Sequence, residues 1–122
     1  MSKIAIAFAA ALLVSGGAAA HALLERAVPA VGSTVPHAPA VLTLTFSEGV
    51  EAAFCKVAVT SGAGGSFADG AARNAPSNKR VLMLHLKPLP SGQYTVSWQA
   101  VSVDTHHTEG TFHFTVGGAG AS

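Results

Sequence analysis

The chain has 122 residues, a formal net charge of +1, 11% charged residues and a 49% hydrophobic share. That is room for one domain, and it is too apolar and too weakly charged for an intrinsically disordered chain. Near-neutrality also excludes the basic footprint of a nucleic-acid binder or of a protein that lies on anionic membranes.

Residues 1–20 read as a secretory signal peptide. Lys3 supplies the positive start, Ile4–Val14 is an unbroken apolar run, and Ala18-Ala19-Ala20 offers a small-residue cleavage site. The run is too short to span a bilayer, which takes about 20 residues. Cleavage after Ala20 leaves 102 residues beginning at His21 and places them outside the cytoplasm. No second long apolar run follows, so the mature domain, 21–116, is expected to be soluble, with 117–122 as a flexible tail.

Five stretches of the mature chain alternate with period 2. They are Val41–Phe46, Cys55–Thr60, Val81–Leu86, Tyr94–Val101 and Thr111–Val116. Each places alternate residues on a core. Leu42, Leu44 and Phe46 share one face, as do Tyr94, Val96, Trp98 and Ala100, and as do Phe112, Phe114 and Val116. Between the stretches stand Pro29 to Pro39, a Gly/Ala/Ser-rich loop at 61–78, the Pro88–Gly92 cluster and Gly110, all read as punctuation. The pattern predicts an all-β fold, a small sandwich or Greek-key barrel. Cys55 is the only cysteine, so no intramolecular disulfide exists. Its parity with Val57 and Val59 points it at the core as a small apolar residue.

Six histidines are a large allocation in so lightly charged a chain: His21, His37, His85, His106, His107 and His113. His21, as a new N-terminus, offers its α-amine and its ring Nδ1 to one ion as a chelate. An α-amine has a reference pKa of about 7.7–8.0, so losing its proton costs little at neutral pH. Adjacent nitrogens suit the tetragonal geometry of Cu(II). Asp104-Thr-His106 offers a carboxylate and an imidazole two residues apart, which in extended chain project to one side. A simple turn capped by Asp104 is the alternative there. No nucleophile elbow, Cys-x-x-Cys or phosphate loop is present.

Four stretches together resemble the CopC family of periplasmic copper-binding proteins, of the copper-resistance type. They are His21 with Val28-Pro29-Ala30 and Gly32-Ser33; Leu44–Glu51 with Phe54-x-Lys56-Val57; Leu89–Ser102 around Ser91-Gly92, Tyr94 and Trp98; and Asp104-Thr-His106 with Gly110-x-Phe112-x-Phe114-x-Val116. The resemblance implies a Greek-key β-barrel of about seven strands and cupredoxin/immunoglobulin-like shape. It implies one Cu(II) ion on the His21 amine and ring, Asp104 and His106, with Glu48 at or beside the metal. It further implies a monomeric periplasmic protein that stores, buffers or delivers copper without turnover, in homeostasis or resistance, and a CopD-type inner-membrane copper transporter as partner. Some members carry a methionine-rich loop for Cu(I). Here 61–78 has no methionine, and Met83 is the only one after residue 20, so no such site is expected. His107, next to His106, is expected to face solvent. Two other readings stay open: a copper-dependent oxidative enzyme using the same terminal chelate, and an immunoglobulin-like interaction module without metal. Zinc at the same ligands is a further option, although it prefers a tetrahedral set.

Overall fold

The computed structural model describes residues 23–117. Among them eight strands form two four-stranded sheets, with one 3₁₀ turn, Ala52–Phe54, and no α-helix. The strands are β1 Leu24–Val28, β2 Thr34–Val35, β3 Val41–Phe46, β4 Lys56–Ser61, β5 Arg73–Ala75, β6 Asn78–His85, β7 Gly92–Val101 and β8 His107–Val116. One sheet runs β1-β3-β6-β5 and the other β2-β8-β7-β4. Every pairing is antiparallel except β2 with β8. Strands adjacent in sequence lie in different sheets at several points, and the result is a Greek-key β-sandwich.

The inner faces follow the period-2 pattern. Leu42, Leu44, Phe46, Leu82, Leu84 and Leu86 come from one sheet; Val59, Tyr94, Val96, Trp98, Ala100, Phe112, Phe114 and Val116 come from the other. Removal of this apolar surface from water is the main stabilising contribution. Aromatic rings fill the space between the layers. Phe46 and Trp98, from opposite sheets, meet edge to face with centroids 5.2 Å apart, and Tyr94 stacks on its same-sheet neighbour Phe114 at 5.6 Å. The buried Tyr94 hydroxyl donates to the Pro90 carbonyl, so burial leaves no polar orphan. Cys55 is half-buried against this core, as its parity suggests.

Three strands escape the periodicity. In β1 only Ala27 is buried, Glu25 and Arg26 interrupt the pattern, and the register with β3 shifts between Leu24 and Arg26. β2 has only two residues. The stretch 61–78 is not a loose loop. It holds β5 on the edge of β6, Ser66 bridges Thr60, Ala68 bridges Leu86, and Phe67 packs edge-on against Tyr94 at 5.3 Å. Its glycines and alanines conceal these contacts because each is made by one or two residues only.

Asn74 of β5 ties the edge of its sheet to the β3–β4 connection. Its Oδ1 accepts the Ala52 N–H at 3.3 Å, and its Nδ2 donates toward the carbonyls of Lys79, Val50 and Val81 at 3.1, 3.2 and 3.4 Å. Replacing it with alanine takes this partner from the Ala52 N–H and the Val50 carbonyl, while the Lys79 carbonyl keeps the Val50 N–H. Asn74→Ala is expected to cost about 2 kcal/mol, measured as a shift in the urea unfolding midpoint.

Candidate metal centre

Asp104 and His106 sit in the connection between β7 and β8. The hairpin ladder continues past Val101 and His107, with the Ser102 N–H donating to the His106 carbonyl at 2.9 Å. That leaves a three-residue connection, Val103–Thr105, closed by Thr105 N–H on the Ser102 carbonyl at 2.8 Å. Thr105 has φ +70°. Short hairpin loops often end on a left-handed residue, usually glycine or asparagine. A β-branched residue there is held at a cost of about 1–2 kcal/mol.

This turn brings the two side chains together. His106 Nδ1 lies 3.2 Å from Asp104 Oδ1, with both side chains about half exposed. The meeting arises from a tight turn, not from the extended backbone that an i, i+2 reading assumes. The Ser102 hydroxyl donates to the same Asp104 oxygen. That bond, followed by the approach of His106, holds the Asp104 carboxyl below the usual carboxylate range. Asp104 is therefore an anion throughout the neutral and mildly acidic range.

Two backbone bridges join this turn to the segment after β3. Val103 N–H donates to the Gly49 carbonyl at 3.0 Å, Glu51 N–H donates to the Val101 carbonyl at 2.8 Å, and Val50 pairs with Ser102. Glu48 lies in that segment, half-buried, at the same end of the sandwich. Glu51 is engaged with Lys79 at 3.2 Å. Leu23 is fastened to the segment as well: its N–H donates to Ser47 Oγ at 2.8 Å, and the Ser47 N–H donates to its carbonyl at 2.8 Å. His21 itself lies outside the described residues.

Among the described residues, no three His, Cys, Asp or Glu side chains converge as a metal site. Asp104 and His106 form a pair, and Glu48 is near it in the fold without completing a triad. His107 is exposed at the start of β8, as expected. His113 faces Thr95 across the outer surface, Nδ1 to Oγ1 3.1 Å, far along β8 from the turn. Cys55 does not offer a thiolate. Its Sγ is hydrogen-bonded to the Glu51 carbonyl at 3.2 Å and takes the Val101 N–H at 3.4 Å, and burial pushes its thiol above the ordinary value.

The residue that the motif reading omits is Ser102. It is fully buried. The sequence does carry a signal for it: Ser102 continues the inward parity of Tyr94, Val96, Trp98 and Ala100, so a hydroxyl stands where the pattern demands an apolar side chain.

Residues 24–117 match the family model described as the CopC domain. The chain belongs to the CopC family. Copper resistance protein C of Pseudomonas syringae pv. tomato is 38% identical over 115 residues, covering 89% of this chain and 90% of that one. Protein YobA of Escherichia coli K12 is 36% identical over 115 residues, 93% of each chain. The crystal structure of CopC from Methylosinus trichosporium OB3b superposes with a TM-score of 0.76 at 29% identity, covering 81% of this chain and 96% of that one. CopC membership accounts for the sandwich and for the order of the resembling stretches along the chain. Among the described residues no helix is long and apolar enough to cross a membrane.

Proposed function

We propose that this CopC-family chain binds one Cu(II) ion outside the cytoplasm and stores, buffers or delivers it without catalytic turnover. The ligands are the α-amine and ring of His21, freed by cleavage after Ala20, together with Asp104 and His106; Glu48 stands beside them. The observation that carries this reading is the Asp104–His106 pair at 3.2 Å. Two donors at that separation, each about 2 Å from one ion, subtend roughly 100–105° there, using ordinary metal–nitrogen and metal–oxygen distances. The pair therefore needs little rearrangement to act as adjacent ligands.

Further support comes from where the chain starts. Leu23 is bonded on both sides to Ser47, the residue before Glu48. His21 is two residues upstream, a reach of about 7 Å. Nitrogen and carboxylate donors suit Cu(II), and a hard carboxylate disfavours the cycling through Cu(I) that an oxidative enzyme requires. The relative from Pseudomonas syringae is named for copper resistance. A CopD-type membrane copper transporter is the proposed recipient or donor, and the protein works as a periplasmic monomer.

The direct test is a Cu(II) titration of the protein starting at His21, followed by electron paramagnetic resonance. One tetragonal ion per chain is expected, and the absence of stoichiometric binding sinks the reading. Acidification adds a second test. Asp104 stays ionised, because its folded pKa lies below its unfolded one; its contribution to stability is present above the ordinary carboxylate range and is lost only as pH falls through the lowered value. Copper lost in mild acid is therefore lost to protons on nitrogen. From pH 7 to pH 6 affinity is expected to fall at least about tenfold, the amine alone accounting for that much. Competition titrations at the two pH values measure it.

A further inference from the structure

We infer that Ser102 is a positioning residue that presets Asp104 and His106 as one copper-binding unit. The inference rests on the Cu(II) reading above and deepens it. Ser102 has no solvent access. Its hydroxyl donates to Asp104 Oδ1, and its oxygen accepts the His106 backbone N–H at 3.2 Å. One buried group is thus bonded to the side chain of one proposed ligand and to the backbone of the other. A hydroxyl has a single proton. Since the His106 N–H already points at the oxygen, that proton goes to the carboxylate, where the bond is charge-assisted. The second nearby acceptor, the His106 carbonyl at 3.5 Å, is the poorer partner.

Two consequences follow for the metal. The bond takes rotational freedom from Asp104 before copper arrives, so less ordering remains to be done on binding. It also takes one lone pair of Oδ1, the oxygen beside His106 Nδ1, and leaves the other free for an ion shared with that nitrogen. Ser102 itself is anchored independently of Asp104 by its pairing with Val50 and by its N–H on the His106 carbonyl. Its hold therefore comes from the sandwich, not from the exposed turn.

The experiment compares wild type, Ser102→Ala and Ser102→Thr, all starting at His21, and repeats Ser102→Ala in an Asp104→Ala background, which removes the acceptor. Near-ultraviolet circular dichroism confirms that each variant is folded. Expected for Ser102→Ala are an affinity for Cu(II) about tenfold lower, the lower end for loss of an outer partner of a metal ligand, and a changed copper hyperfine splitting. Ser102→Thr, which keeps the hydroxyl, restores both. In the Asp104→Ala background the Ser102→Ala change costs little further. Unchanged affinity and spectrum in Ser102→Ala, or an equal tenfold loss without the Asp104 carboxylate, overturns the inference and leaves the copper reading intact. Three-bond couplings of the Asp104 side chain in metal-free protein give a readout independent of copper. A single rotamer in wild type that averages in Ser102→Ala supports the positioning role even if wild type binds no copper and the functional reading falls. Identical couplings in the two proteins overturn it.

Discussion

Protein that begins at His21 is expected to bind Cu(II) two to three orders of magnitude more tightly than the same protein with one extra residue in front. The extension changes no side chain. It converts the His21 α-amine to an amide, which is no ligand until its own proton is removed, and it opens the chelate ring that the amine forms with the imidazole. A four-ligand site in a small domain binds its metal with about 10–16 kcal/mol, so one donor of four carries roughly 3 kcal/mol. That corresponds to a factor of about a hundred or more. Competition against a chelator of known strength gives the ratio, and electron paramagnetic resonance shows whether a nitrogen has left the equatorial set. Equal affinity in the two preparations removes His21 from the site and leaves Asp104 and His106 with some other partner.

The strands with strong alternation were legible because one face of each meets a single continuous core. Tyr94, Val96, Trp98 and Ala100, and Phe112, Phe114 and Val116, are buried as the alternation predicts. β1 was not legible, because a charged pair and a register shift leave one buried residue in five. Of the proposed site, the Asp104–His106 pair was legible as a pair and not in its geometry. Asp104 and His106 are recognisable by type and spacing, but they meet through a turn that forces Thr105 to a positive φ, which no alternation rule anticipates. Ser102 was readable as a misfit in the inward row, and its partners were not, since a hydrogen bond to a turn two residues ahead depends on how that turn folds.

Gly110 exposes the limit of reading glycine as punctuation. It lies inside β8, directly opposite Trp98 in the antiparallel register. A Cβ built on it falls 2.7, 2.9 and 3.0 Å from three atoms of the indole, closer than non-bonded carbons approach. The ring lies across the glycine because no other residue leaves the space. Nor can the indole step aside freely. Trp98 is only 7% exposed, and its ring packs edge to face with Phe46, which is fully buried. Gly110→Ala must push the indole into Phe46 or part β7 from β8. Overpacking of this kind costs about 2–3 kcal/mol, which for a domain of this size lowers the melting temperature by roughly 10–20 °C. Chemical denaturation followed by Trp98 fluorescence reports the loss and the indole's new surroundings together. Glu109→Gln, on the exposed face one residue away, should stay within about 0.5 kcal/mol of wild type. An unchanged midpoint for Gly110→Ala would mean that the indole is not held between Gly110 and Phe46.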